Sequence, residues 1–542
     1  MSGSANVVAA YKGTIPRLLT AAADRDSART WLRTDHGSLT FGAAVAATGL
    51  TAQALQDSGL RRGDLVMMTA ANTPQYLLCW LALTSMGAVT VAVNPRSAQA
   101  ELAGLISQVQ PRAIITDKGL ADTVLAAPVS TSAGSGSQPP LLDVLDVAPP
   151  RWADEQAMAT ATGASLPARP PSPDDVAVLI PTSGTTGRSK LVMQTHRAYA
   201  MAGEGFPFWM ELTSDDRLMT TLPLFHINAP AYSVMGSIAR GAGLVLVERF
   251  SASSFLDSAR RHAATEFNAI GAMLEILMRQ PEQPGDADTS LRLCYTGPAP
   301  ERERQLEIER RFGLRIVVGY AMSESPYGLI WPHGSRPFGT LGTVRQHPYL
   351  GTVNEARVTD DAGQVLGPGA TGELQLRNPV LTPGYWGMPE ETASVKSDGW
   401  LRTGDLVTVG QDGTYTFVAR VKEVIRRRGE NLSPLEVEEV LESNPAIQEC
   451  AVVGVPSELS EEEVKAFVVA ADGHQLNFAE LRDYAASRLA AFKVPRYWQQ
   501  VDDLPRTPTA RVAKHRLPAG HSPEEYDADE PGTAPEQEEP GG

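Results

Sequence analysis

The chain has 542 residues, 42% hydrophobic content and a formal net charge of −16. It can bury a large core in more than one domain, and its acidity argues against a nucleic-acid partner. Half of the charge excess is local, because Glu524, Glu525, Asp527, Asp529, Glu530, Glu536, Glu538 and Glu539 follow Ala519 with no Lys or Arg among them. Rich in Pro, Gly and Glu, the stretch 519–542 reads as a disordered acidic tail.

Cys79, Cys294 and Cys450 are few, far apart and set in apolar surroundings, the usage of buried free thiols in a reducing compartment. The N-terminus lacks the basic-then-apolar pattern of a secretory signal, so a cytoplasmic location is expected. Leu65 to Pro95 carries no charged residue, yet Asn72, Pro74, Gln75 and Gly87 interrupt it. It reads as a strand from Leu65, a helix opened by Pro74 and closed by Gly87, and a strand over Ala88–Val93, a βαβ unit rather than a membrane span.

Ala113–Thr116 is a further strand, and Ser130 to Asp174, rich in Ala, Ser, Gly and Pro, reads as a surface connection. The apolar run Val176–Ile180 then leads into Thr182, Ser183, Gly184, Thr185, Thr186, Gly187 and, three residues on, Lys190. Hydroxyls, flexible backbone and an ammonium concentrated in this way suit the cradling of phosphate oxygens. The spacing is not that of a Walker loop, since the glycines are too close and Leu191, not a hydroxyl residue, follows the lysine. Downstream the alternation continues: strand Leu244–Val247, helix Ser254–Ala264, strand Asn268–Ile270, helix Arg302–Phe312, strand Leu314–Val318. Such alternation predicts an α/β fold of mainly parallel sheets flanked by helices. Ligands then bind at the carboxyl ends of strands, where Thr182–Lys190, Thr296–Pro300 and Tyr320–Glu324 converge. A shorter unit with its own strands and helices follows Arg420. In it Ser433 and Glu436 form a capping box, Val464–Val469 is a strand and Phe478–Leu489 a helix.

The phosphate loop is followed in order by Pro223-Leu-Phe-His226, Tyr295-Thr-Gly-Pro-Ala-Pro300, Gly319-Tyr-Ala-Met-Ser-Glu324, Trp400-Leu-Arg-Thr-Gly-Asp405 and Ala419-Arg-Val-Lys-Glu423. Together these resemble the acyl-adenylate-forming superfamily of acyl-CoA synthetases, peptide-synthetase adenylation domains and luciferases, over roughly Phe41 to Leu517. Arg426-Arg-Arg-Gly-Glu-Asn-Leu-Ser433, Glu463–Val469 and Ala491-Phe-Lys-Val-Pro495 look like the carnitine/crotonobetaine-CoA ligase-like branch. The resemblance implies a large N-terminal domain over 1–420 and a small mobile α+β lid over 421–518. It also implies ATP-dependent activation of a small carboxylic acid as acyl-AMP, with transfer to coenzyme A.

In that scheme Thr182, Ser183, Thr185, Thr186 and Lys190, with Gly184 and Gly187, hold the β- and γ-phosphates. Ser323 and Glu324 lie by the α-phosphate and Mg2+, with Glu324 the metal ligand. Tyr320 stacks on adenine beside Ala321 and Met322, and Gly297, Pro298 and Ala299 form the opposite wall. Asp405 accepts the ribose hydroxyls, supported by Arg420. His226, Asn228, Gly271, Ala272 and Ser325 are the acyl-pocket candidates; His226 is equally readable as a packing residue. Lys422 matches the lid's hinge, or is an ordinary surface lysine. Arg427, Arg428, Gly429 and Glu430 suit coenzyme A phosphates, or form a solvated charge cluster. The family's closing lysine is replaced by Arg511, which keeps the charge but not the reach, with Lys514 a substitute. Two other readings stay open: an adenylating enzyme serving an amine, another acceptor or an oxyanion such as nitrite, and a degenerate nucleotide-binding protein. The oligomeric state is open, a homodimer included.

Overall fold

The computed structural model describes residues 10–97, 99–125, 141–143, 165–182, 189–297, 300–421, 423–427, 430–457, 462–489, 491–506, 512–518, 520–522 and 525–529. The chain divides into two compact units. The first takes residues up to Ala356, Gln375–Arg402 and Asp412–Tyr415; the second takes Arg357–Leu374, Thr403–Gln411 and the chain from Thr416. The divide is therefore discontinuous and earlier than a single cut after Arg420. Thr403–Gln411 leaves the first unit because its strand partners lie in the second, as where Thr403 Oγ1 donates to Leu374 O at 2.7 Å.

The first unit holds two sheets. In the six-stranded one, Leu141–Asp143, Ala113–Thr116, Leu65–Thr69, Val89–Ala92 and Val176–Thr182 run parallel, and Lys190–Thr195 closes it antiparallel. Residues 141–143, read from sequence as surface connection, are thus an edge strand. The expected βαβ unit is present as Leu65–Thr69, helix Pro74–Met86 and Val89–Ala92. Thr73 caps that helix by accepting from the Tyr76 amide, and Gly87 ends it at φ +74°, where a Cβ would be strained.

The nine-stranded sheet has a parallel centre. Thr30–Thr34, Gly243–Leu246, Arg217–Thr220, Glu266–Asn268, Leu293–Thr296 and Arg315–Met322 lie side by side, with antiparallel strands at both ends. Both faces are covered, which is why these strands read as apolar runs. Ser325–Ile330 is one of the antiparallel strands, running back beside Arg315–Met322. Met322 pairs with Ser325, so Ser323 and Glu324 form a two-residue hairpin turn.

A fully buried arginine supports this hairpin. Arg345 donates through Nε to Leu329 O at 2.9 Å and through Nη1 to the Tyr232 hydroxyl at 2.8 Å and to Pro326 O at 3.2 Å; its Nη2 meets the Tyr295 hydroxyl. Its guanidinium lies 4.8 Å from the Trp209 ring centroid and 5.2 Å from that of Tyr232. Aromatic faces and neutral oxygens stand in for water around the charge.

In the second unit, Ile447–Pro456, Glu462–Ala470, Tyr497–Gln500 and Tyr526–Asp527 form a four-stranded sheet. Helices Pro434–Glu442 and Phe478–Ala486 contribute Val437, Leu441 and Leu481 to its core, against Val452, Ala466 and Trp498. Two expectations fail here. Ser433 makes no cap bond: its hydroxyl donates to Val418 O at 2.6 Å, while Glu436 pairs with Lys493. The expected tail is not disordered at 525–529, because Tyr526–Asp527 adds a strand to the sheet and Arg496 grips Asp527 with two bonds of 3.0 and 2.9 Å. Glu525 pairs with the fully buried Lys465 at 2.5 Å. Residues 530–542 lie outside the described set.

Among the described residues no helix is long and apolar enough to cross a membrane, and all three cysteines are buried and free. Burial works to raise the Glu525 carboxyl, but Lys465, the Ser522 amide and His521 outweigh it and hold the group below the usual range. Its contribution is therefore complete above the ordinary carboxylate pKa and is lost as pH falls through the depressed folded value. Glu525→Ala should destabilise the second unit by about 3–5 kcal/mol near neutral pH, since Lys465 stays buried unpaired. The loss should shrink in acid, and urea titration at pH 7 and pH 3 checks both.

Candidate active site

The parallel strands of the nine-stranded sheet release their carboxyl ends along one edge, and most predicted site residues of the first unit lie there. His226 and Asn228 follow Arg217–Thr220, Gly271 and Ala272 follow Glu266–Asn268, Gly297 follows Leu293–Thr296, and Tyr320 to Glu324 end Arg315–Met322 and turn the hairpin.

Glycines set the spacing around Tyr320. A Cβ on Gly297 would stand 2.3 Å from Gly319 O, and one on Gly328 would stand 2.1 Å from Tyr320 O. Only hydrogen at these two positions lets the three strands close. Tyr320 is half-buried, with its hydroxyl 3.9 Å from Met322 Sδ.

The six-stranded sheet contributes Thr182 and Lys190, paired across the ends of their two strands, with Thr182 Oγ1 donating to Lys190 O at 3.3 Å. Ser183, Gly184, Thr185, Thr186 and Gly187 lie outside the described residues, as do Pro298, Ala299, Lys422, Arg428, Gly429 and Arg511. A segment not singled out from sequence, Thr382-Pro-Gly-Tyr-Trp386, joins the two sheets. The Trp386 amide donates to Leu191 O at 2.9 Å, the Met193 amide to Gly384 O at 3.0 Å, and the Thr382 amide to Glu324 O at 2.7 Å. Within it, the Tyr385 hydroxyl donates to Glu324 Oε1 at 2.9 Å, and the Lys190 ammonium stands 4.7 Å from the centroid of the same ring. Burial first, then the Glu324 carboxyl, push the Tyr385 phenol well up, so it stays a donor. Gln194 Nε2 also donates to Ser323 O. The Pro-Gly turn with two aromatics after it was the only sequence signal for this segment.

The acyl-side candidates separate. Asn268, 1% exposed, donates Nδ2 to Asn228 Oδ1 at 2.6 Å, and its Oδ1 has no hydrogen-bond partner among the described residues. A Cβ on Gly271 would meet nothing within 4 Å, in keeping with volume there, and Ala272 is half-buried beside it. The His226 ring packs 4.4 Å from Phe225. Ser325 does not join them: it is fully buried, donates to Tyr327 O and accepts from Asn378 Nδ2 at 3.1 Å, so its hydroxyl is used within the hairpin.

In the second unit Asp405 and Arg420 meet, with Arg420 Nε 2.7 Å from Asp405 Oδ1. Asp405 is 1% exposed, and its amide donates to Thr403 Oγ1 at 3.1 Å, which fixes the turn at Gly404. Arg427 is not a surface cation. It is 5% exposed, ion-paired to Glu463 at 2.5 Å, and donates to Phe492 O and Val494 O at 3.1 and 2.8 Å, so the coenzyme A assignment fails for it. Lys514 is held by Glu438 at 2.7 Å, which removes it as a substitute for Arg511 in this arrangement. Glu430 contributes backbone to a short strand, Glu430–Leu432.

No group of three or more His, Cys, Asp or Glu side chains that could hold a metal occurs among the described residues. Mg2+ takes one or two carboxylates and completes its shell with water and phosphate oxygens, so Glu324 alone is compatible with the metal role expected of it.

With the hairpin turn at Ser323–Glu324, the half-buried Tyr320 and, in the second unit, the Asp405–Arg420 pair described, family comparison gives the class of enzyme. The model for AMP-binding enzymes matches residues 19–386 and that for the AMP-binding enzyme C-terminal domain matches 436–511. The chain belongs to the AMP-binding enzyme family. It is 32% identical over 483 residues to a crotonobetaine/carnitine–CoA ligase of Salmonella enteritidis, covering 86% of this chain and 90% of that one. The homologue of Salmonella paratyphi C is 33% identical over 485 residues, with the same coverage. Among solved structures, ATP-bound MatB from Rhodopseudomonas palustris superposes with a TM-score of 0.79 at 26% identity, covering 93% of this chain and 98% of that one. The o-succinylbenzoate CoA synthetase of Bacillus subtilis with its acyl-adenylate intermediate gives 0.80 at 25%, with the same coverage.

Gly297→Ala tests the spacing. Parting the strands should cost about 1–3 kcal/mol of stability, and affinity for AMP should fall with it. Chemical denaturation beside titration calorimetry checks this; wild-type values in both would mean the strands tolerate a methyl group.

Proposed function

We propose that this AMP-forming acid–CoA ligase takes a small, polar, betaine-type acid and works in the cytoplasm. In the first step the acid's carboxylate oxygen attacks the α-phosphorus of ATP, the α–β phosphoanhydride bond breaks and pyrophosphate leaves. In the second, the thiol sulfur of coenzyme A attacks the acyl carbon, loses its proton and expels AMP.

The observation that carries the reading is the triad Lys190–Tyr385–Glu324 at the carboxyl edge of the sheets. An anion must approach a polyanion, so catalysis is largely charge neutralisation and positioning. Lys190 and Thr182 take the outer phosphates, Ser323 and Glu324 the α-phosphate side, and Tyr320 lies on adenine. Asp405, steadied by Arg420, accepts from the ribose hydroxyls. When bound, Mg2+ offsets charge on the departing pyrophosphate, and Glu324 is the side chain that would hold it. Lys422 is the hinge that separates the two steps.

Support for the acid comes from two sides. The Asn228–Asn268 pair offers amide groups in place of an apolar wall, and Gly271 leaves room beside it. The Salmonella relatives bear the name crotonobetaine/carnitine–CoA ligase. Amide groups beside that room favour a polar acid and disfavour a long alkyl chain.

Incubation with magnesium, ATP and betaine-type, fatty or aryl acids, with and without coenzyme A, should release pyrophosphate and give a thioester with the betaine-type acids. Mass spectrometry reads the product; a lingering adenylate without thioester would point to another acceptor, and preference for fatty acids would sink the substrate class. Glu324→Ala should lower pyrophosphate release by about 100-fold or more with the fold retained. Lys422→Ala should slow thioester formation more than adenylation, and equal slowing of both half-reactions counts against the hinge.

A further inference from the structure

We infer that Tyr385 is a positioning residue that couples the phosphate-binding lysine to the metal-side carboxylate. The inference rests on the reading of Lys190 and Glu324 as ATP and Mg2+ contacts. Lys190 begins a strand of the six-stranded sheet, whereas Glu324 turns a hairpin of the nine-stranded sheet, so neither sheet alone sets their separation.

Tyr385 meets both with different parts of one side chain. Its hydroxyl donates to Glu324 Oε1 at 2.9 Å, and its ring face takes the Lys190 ammonium at 4.7 Å. The tyrosine is itself held from both sides. Its amide donates to Thr392 Oγ1 at 2.9 Å, it bridges to Val192 across the six-stranded sheet, and three residues earlier Thr382 takes Glu324 O and gives its hydroxyl to Met193 O at 2.6 Å. At 6% exposed, the ring cannot leave this position without opening the contact between the sheets.

The two functions are separable, because a hydrogen bond holds the carboxylate and a cation–π contact holds the ammonium. The hydroxyl engages Oε1 of Glu324, which fixes the direction its carboxylate presents to a cation. The ring holds the Lys190 ammonium in place before nucleotide arrives, so that little side-chain ordering remains to be done on binding.

The test uses the full-length chain with Tyr385→Phe and Tyr385→Leu. Phenylalanine keeps the ring and removes the hydroxyl, so the Mg2+ concentration for half-maximal pyrophosphate release should rise about 10-fold, the loss of a hydrogen bond to a charged group. Metal-free ATP affinity, read by titration calorimetry, should stay within about twofold for that variant, because the cation–π contact remains. Leucine removes both contacts, so metal-free ATP binding should weaken about fivefold in addition. On a Lys190→Ala background, Tyr385→Leu should weaken that binding no further, as expected of a residue that acts through the lysine.

A purely structural role would lower the unfolding temperature and reduce all readouts together. An unshifted Mg2+ curve in Tyr385→Phe with unchanged ATP affinity in Tyr385→Leu would overturn the inference. A wild-type chain that neither binds ATP nor releases pyrophosphate from any acid would remove the ligase reading, and the inference with it.

Discussion

The site depends on how closely three strands can approach at Tyr320. Gly297 and Gly328 lie against the carbonyls of Gly319 and Tyr320 with no room for a methyl group. The close approach aligns a tyrosine ring, a hairpin turn and the carboxyl end of the parallel sheet in one place. A side chain at either glycine would have to be absorbed by the backbone, because protein interiors have almost no slack. Arg345 braces the same hairpin from behind, with hydrogen bonds to two tyrosine hydroxyls and two carbonyls.

The second constraint is the joining of two sheets through Thr382–Trp386. Lys190 sits on one sheet and Glu324 on the other, and the roles proposed for them need their separation to be held. Backbone amides of this segment reach both, and one tyrosine adds a bond to each charged group. Preorganisation of this kind removes ordering costs from the bound state, where electrostatic catalysis is most sensitive to placement.

In the second unit the same physics serves stability. Lys465 and Glu525, and Arg427 and Glu463, are ion pairs almost without exposure. Such pairs repay their desolvation only when both partners are also hydrogen-bonded, as Arg427 is to two carbonyls. A run of three arginines in a sequence looks like a phosphate-binding patch, and the middle one has been taken into the core instead. Likewise the acidic tail begins with a strand, because Tyr526 finds a place in the apolar core and Asp527 a bidentate arginine.

Local patterns were legible where the determining contacts are local. Helix Arg302–Phe312 and strand Ala113–Thr116 appear at the expected residues, and the helix from Pro74 ends at Gly87, because caps, periodicity and left-handed glycine act within a turn or two. The motif residues Lys190, Glu324, Asp405 and Arg420 could be singled out in the sequence, since their side-chain chemistry is scarce and their order along the chain is distinctive, and Asp405 and Arg420 do meet. What only the tertiary structure decided is which neighbours those side chains acquire. Tyr385 became the link between Lys190 and Glu324, Ser325 turned inward, Ser433 bonded Val418 instead of capping, and Arg427 paired with Glu463. Each of these outcomes is a contact between residues distant in sequence, set by how strands stack and which buried polar atoms must be matched, and no local pattern carries that information.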